Sequence, residues 1–302
     1  MEILQKIEDA KIRGIFTGRN RIIYPGAFYH LTQRAPGREV LFLENSDYLH
    51  MLSLIKEISI SYQWNVFCFV LMPNHLHLLL QIQKPNLSKG AKELFERYAK
   101  YFNAKFQRKG PVFCKPYRVS LCVDESYLLV ISLYIHLNPY KAKLTDDPMN
   151  YKWSSVKLYT DKEAPQTFVK YDFILGIIED NLDKAKNIYK KLLLSSSRVE
   201  FKSVLEDPTF IKKFKLSLLN ILSSFGIGKR EKENNWSLDR EIAKFQNKKC
   251  IRQPQELNAR RYLVEQMLAN GYKIVEIASF LKISRQSVYN ILQNQRRWKC
   301  KV

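Results

Sequence analysis

Residues 65–82, NVFCFVLMPNHLHLLLQI, constrain the chain more than any other stretch. Two apolar runs, 65–72 and 75–82, flank the turn signal Pro73-Asn74, and each has the length of a buried strand. The segment is therefore expected to fold back on itself as a hairpin. Successive side chains of a strand alternate between faces, so His75 and His77 project together while Leu76 faces the opposite layer with Leu78 and Leu80. Two of only five histidines thus share one face of a sheet interior. Such a pair is either hydrogen-bonded core or part of a site for one divalent metal.

The flanking segments extend this nucleus. GAFYHLTQ (26–33) reads as another strand, with His30 either a support for the histidine pair or core, the core reading favoured. NSDYLHMLSLIKEISISYQ (45–63) opens on polar cap residues and sets Leu49, Leu52, Ile55 and Ile58 at helical spacing. A polar helix is expected from Leu87 to Arg108 and a strand at 117–123. A helix follows, SYLLVISLYIHLN, capped by Asp124 and ended by Pro139, since the residue before a proline resists helical geometry. This order describes an α+β fold, an antiparallel sheet with flanking helices. Residues 145–172 read as loop, with WSS at 153–155. From about 173 Lys-rich helical patterns replace strand signals, and REKENNW (230–236) reads as a linker. The expected division is 1–172 for the sheet domain, 173–245 for a helical connector and 246–302 for an all-α region.

Charge narrows the partners. Fifty Lys and Arg against 29 Asp and Glu leave a net charge of +21, an excess suited to a polyanion such as nucleic acid. No run approaches the roughly 18 apolar residues of a membrane span, and MEILQKIEDAKIRG mixes charges where a signal peptide needs an apolar block. Cys68, Cys114, Cys122, Cys250 and Cys300 are odd in number and form no C-x-x-C pair, which argues against a disulfide framework or a structural zinc site. The expected location is cytoplasmic, associated with the nucleoid, with no membrane partner.

The helix ending YIHLNP offers what a histidine pair would need for chemistry. Tyr134 and Asn138 are four residues apart and share a helical face, whereas His136 points elsewhere. The Asn138 amide oxygen could complete a metal site, and Tyr134 could present its hydroxyl to whatever the metal holds. Equally, aromatic residues at helical spacing such as Tyr127 and Tyr134 are commonly core, and Asn-Pro is a common helix stop.

GAFYHLTQR, LMPNHLHLLL, YIHLNP and YKWSS occur in one order, and over about residues 20–160 they resemble the REP-associated tyrosine transposases and the wider HUH single-tyrosine transposases of bacterial insertion sequences. The resemblance implies a ferredoxin- or RRM-like catalytic domain at 1–172. It implies that His75 and His77 bind a divalent metal, Mg or Mn, that Asn138 joins them where relatives often have Gln, and that Tyr134 attacks a DNA phosphodiester. The product would be a 5′-phosphotyrosine with a free 3′-hydroxyl on single-stranded or hairpin DNA. Relatives form this site as monomers or as homodimers that exchange the tyrosine helix. Many read NPVRAG where this chain has NPYKAK, so Tyr140 is a second tyrosine, expected beyond the helix-ending proline. Arg34, Arg38, Lys115, Arg118 and Lys143 flank the motifs and are candidate phosphate contacts. Two other readings stay open: a DNA-binding regulator whose cutting activity is lost, and a metal-dependent endonuclease that uses water.

The C-terminal region has its own pattern. NARRYLVEQMLANG reads as a helix ended by Gly271, and IVEIASFLKISRQSVYNILQ as helix, turn, helix. It resembles the helix-turn-helix of bacterial DNA-binding proteins, with Ala278 at the helix contact, Ile283 filling the turn and Ser284 capping the second helix. Arg285, Gln286, Ser287 and Asn290 would then face a duplex major groove. Residues 246–302 carry 12 Lys and Arg against 3 Asp and Glu, as phosphate binding requires.

Overall fold

The computed structural model describes residues 23, 25–37, 39–114, 116–122, 125–198, 257, 260, 261, 263, 264 and 273–293. Arg38, Lys115, the Asp124 cap, the side chain of Tyr127, the 230–236 linker and Gly271 lie outside them. The chain divides into two compact units, with the described residues 25–198 in one and those from 257 onward in the other.

In the first unit the hairpin forms as its sequence dictates. β1 (Phe28–Arg34), β2 (Trp64–Met72), β3 (His75–Ile82) and β4 (Arg118–Cys122) make one antiparallel sheet in the order β2-β3-β1-β4. β3 is buried at every position but Gln81, so both of its faces are covered, and its near-continuous leucine run follows from that. Register sets Thr32 opposite both His77 and Arg118, and Arg34 opposite His75. These side chains therefore share one face.

Among the described residues six helices accompany the sheet: α1 (Asn45–Ser61), α2 (Leu87–Lys105), α3 (Glu125–Lys141), α4 (Val156–Thr160), α5 (Tyr171–Ile178) and α6 (Leu182–Ser197). Helices α1 and α2 pack on each other, and α1 on β2. Gly90 lets α2 approach the start of β2, where an added Cβ would clash with the Trp64 indole. The Asp47 carboxylate, fully buried, ties the start of α1 to the end of α2: it accepts from Leu43 N, Glu44 N, Tyr101 OH and Lys105 Nζ.

Helix α3 crosses β2, β3 and β4 and is backed by α5 and α6. It is buried at every residue from Leu128 to Pro139, which explains a composition with no polar stripe. The helix does not stop at Pro139, as its sequence suggests, but runs on to Lys141. Pro139 removes one ladder donor, and the Asn138 side chain supplies another in the same turn by donating Nδ2 to Tyr134 O at 2.7 Å. A Schellman closure ends the helix instead: Leu144 N donates to Pro139 O and Lys143 N to Tyr140 O, with Lys143 left-handed at φ +57°. Tyr140 consequently lies within the helix.

The stretch expected as loop covers the outer edge of β2. Leu71 N donates to Trp153 O, Ser155 N to Phe69 O and Lys170 N to Val66 O. An edge strand is thus closed to further pairing. Beneath it, the buried His136 joins α3 to both neighbours, with Nδ1 2.8 Å from Tyr189 OH and Nε2 2.9 Å from Ser155 Oγ. Burial holds this imidazole down at about 3. Residues 171–197, read from sequence mostly as connector, pack as α5 and α6 against α3.

The described part of the second unit contains α7 (Ile274–Phe280) and α8 (Arg285–Gln293), joined by a four-residue turn. Ile277, Ala278, Leu281 and Val288 are buried. Lys282 takes φ +53°, Ile283 N donates to Ala278 O, and Ser284 Oγ accepts from Ser287 N at 3.0 Å to cap α8. Among the described residues no helix is long and apolar enough to cross a membrane.

Candidate active site

Four rings meet between the sheet and α3. His77 lies edge-on to Tyr134 at 5.8 Å between centroids, His30 edge-on to Tyr134 at 5.9 Å, His30 stacks on His77 at 5.0 Å, and His75 stands edge-on to His77 at 5.1 Å. The strand period brings the histidines to one face, and the helix lays Tyr134 across them.

Hydrogen bonding decides what each imidazole can do. His75 Nδ1 is 2.6 Å from Asn74 Oδ1. An amide oxygen can only accept, so Nδ1 carries the proton and His75 Nε2 bears a lone pair. His77 Nδ1 is 2.8 Å from His30 Nε2 and 3.1 Å from Thr32 Oγ1, which itself lies 3.4 Å from His30 Nε2. The Nε2 atoms of His75 and His77 are buried and have no hydrogen-bond partner among the described residues. Buried polar atoms left unpaired are costly, so two adjacent ones mark a place for a ligand.

Electrostatics agree with neutral rings. Burial lowers His75 to about 4, with the nearby Arg34 charge acting the same way, and burial lowers His30 to about 4. His77 is pushed well down by burial and by its two histidine neighbours. Neutral imidazole is the ligand form. Tyr134 is 3% exposed, and burial raises its phenol well above the ordinary value, against a smaller opposing effect of the Asn138 side chain.

Of the residues singled out from sequence, the fold brings His75, His77 and Tyr134 together and sets Asn138 one turn along on α3, its amide nitrogen committed to Tyr134 O. Arg34 and Arg118 are exposed on the sheet face of the histidines, beside His75 and Thr32. Lys143 is exposed past the end of α3. Arg285, Gln286 and Asn290 are exposed on α8, Ser287 is half-buried, and Gln286 Nε2 donates to Asn290 Oδ1 at 3.2 Å. No group of three or more His, Cys, Asp or Glu that could hold a metal occurs among the described residues, so any ion here would also need the Asn138 amide, water or substrate.

Sequence reasoning missed Asn74 and Thr32, and it ranked His30 as core ahead of a supporting role. Asn74 had been a turn residue only, and His30 hydrogen-bonds the imidazole of His77. The shared parity of His30 and Thr32 in the first strand was the available signal; the register that sets them against His77 was not.

Residues 24–138 match the IS200-like transposase family. The matched segment contains β1, the hairpin and α3 as far as Asn138, so the motif-based resemblance is borne out there. Among solved structures, the REP-associated tyrosine transposase bound to a REP hairpin aligns over 46% of this chain and 82% of that one, at 15% identity and a TM-score of 0.40. No curated protein matches the chain.

Proposed function

We propose that this chain cuts and rejoins single-stranded or hairpin DNA, with Tyr134 as nucleophile and His75, His77 and Asn138 holding a divalent ion, Mg or Mn. The observation that carries this reading is the pair of buried, unpartnered Nε2 atoms beside Tyr134. The IS200-like match over residues 24–138 supports the class of reaction.

The donor set fits such an ion. Two neutral imidazoles offer lone pairs, and with the Asn138 nitrogen bonded to the helix its oxygen is the atom left to face a cation. When bound, the metal would polarise a phosphoryl oxygen and stabilise charge as it develops. Tyr134 Oη would attack the phosphorus and the 3′-oxygen would depart, leaving the 5′-phosphate on the phenol. The tyrosine–phosphate ester conserves the energy of the broken bond, so a strand bearing a 3′-hydroxyl can reverse the step without ATP. Arg34 and Arg118 would bind flanking phosphates.

The short helix pair supports a second DNA contact. Ile277, Leu281 and Val288 are buried, while Arg285, Gln286 and Asn290 stand on the surface, where they would read a duplex groove with Ser287 beside them.

The test is a labelled hairpin library incubated with Mn or Mg and run on a denaturing gel. Label retained on the protein and lost in Tyr134→Phe supports the proposal. Cleavage without an adduct would identify a water-using nuclease. Retardation on a native gel with no cleavage under either metal would identify a regulator.

A further inference from the structure

The surroundings of Asn74 are unusually determined for a turn residue. Its backbone oxygen accepts from Ala35 N at 2.9 Å, and the preceding Pro73 oxygen accepts from Leu41 N at 2.6 Å and Phe42 N at 3.3 Å. The hairpin tip is thus tied to the chain leaving β1, and proline fixes one of its two φ angles. From this rigid tip the side chain reaches His75 Nδ1 at 2.6 Å. The contact has one sense only, because Oδ1 has no proton to give. It therefore excludes the other neutral tautomer, in which His75 Nε2 would carry a proton and could bind no cation.

A parallel arrangement serves His77. With Nδ1–H donating to His30 Nε2, and Thr32 Oγ1 within 3.1 Å, the unpartnered His77 Nε2 bears a lone pair. The reverse sense would leave a buried N–H that neither a cation nor any described protein atom satisfies. Two neighbouring lone pairs aimed from one sheet face suit a cation, whereas a lone pair beside an N–H does not.

We propose that Asn74 and His30 are positioning residues that lock His75 and His77 in the Nδ1–H tautomer, so that both Nε2 atoms are ready for a divalent cation before DNA arrives. This rests on the proposed metal site, and it adds which residues prepare that site and how. Outer hydrogen-bond partners of metal-binding histidines commonly change affinity by 10- to 100-fold.

The experiment uses the full chain, metal-free, with Tyr134→Phe as background so that cleavage plays no part. Long-range proton–nitrogen spectra of labelled histidine report which nitrogen of each ring is protonated. The expected result is Nδ1–H for both His75 and His77 in the parent. A protonated Nε2 on His75 there overturns the proposal without any further variant. Free Mn, followed by its electron paramagnetic resonance during titration, gives affinity. Asn74→Leu should mix the His75 tautomers and weaken Mn binding roughly 10- to 100-fold, while Asn74→Asp, which keeps an acceptor at the same place, should restore the Nδ1–H signature. His30→Leu should act likewise on His77. Unchanged tautomers and unchanged Mn affinity in both leucine variants would refute the assignment. In the chain with Tyr134 intact, failure to form a DNA adduct while Mn still binds through the two rings would count against the cleavage reading and leave this one standing.

Discussion

Acid should unfold the sheet unit unusually early, because four histidines are buried as neutral rings. His30, His75, His77 and His136 are at most 9% exposed, and burial lowers each below the ordinary imidazole value of about 6.5. The unfolded chain takes up protons near pH 6.5, whereas the folded chain resists until about 4 at His30 and His75 and about 3 at His136. Stability is therefore fully present above pH 6.5 and is lost progressively as pH falls from 6.5 toward 4. At pH 5.5 each such group costs about 1.4 kcal/mol, so the four together cost about 5 to 6 kcal/mol. That is comparable to the whole stability of an ordinary domain, about 5–15 kcal/mol. The assay is thermal unfolding of metal-free protein by circular dichroism from pH 8 to 5. The expected drop in Tm by pH 5.5 is roughly 10–20 °C for a unit of this size. His136→Gln removes one of the four and should flatten the acid slope by about a quarter. A Tm that is level from pH 7.5 to 5.5, or a slope indifferent to His136→Gln, would refute the reasoning.

Other substitutions separate packing, pairing and backbone effects. Gly90→Ala gains about 1 kcal/mol of helix propensity but drives a methyl into the Trp64 indole, whose Nε1 is fixed on Asn86 Oδ1 at 3.0 Å; overpacking should win, with a net loss of about 1–2 kcal/mol in urea unfolding. Asp47→Ala strips two backbone donors and Lys105 of their shared carboxylate and should cost about 3 kcal/mol, whereas Lys92→Ala, in an exposed pair with Glu96, should change unfolding by less than about 1. Lys143→Gly relieves the left-handed cap of α3 and should raise Tm by a few degrees, about 1 kcal/mol; a fall would mean that the lysine side chain outweighs its backbone strain. Arg285→Ala should weaken duplex binding and reduce its salt dependence without altering hairpin cleavage, measured by fluorescence anisotropy at several salt concentrations.

The hairpin, the four strands and the shared face of His75 and His77 were legible because apolar alternation and a Pro-Asn turn are local properties. So was the Ser284 cap. Register was not: nothing in the first strand says that Thr32 will stand opposite His77, and without that His30 reads as ordinary core. Pro139 misled for a physical reason. The preference against helix before proline is about one turn's geometry, whereas α3 is buried on every side and its packing overrides it. The edge-covering role of Trp153–Ser155 was hidden likewise, since backbone pairing to β2 leaves no hydrophobic pattern. Asn74 looked like punctuation because turn chemistry and imidazole orientation call for the same residue.

The depth at which Tyr134 sits has a consequence for the lifetime of any ester formed on it. A phosphotyrosine faces two competing acceptors, the 3′-hydroxyl of a strand and bulk water, and water is always the more abundant. With the phenol 3% exposed and walled by His30 and His77, the ester would be sheltered from the solvent that destroys it. Under the proposed chemistry that shelter turns a nuclease into a joiner: a cut end can wait for its partner strand, and the reaction stays reversible for as long as the helix keeps its place on the sheet.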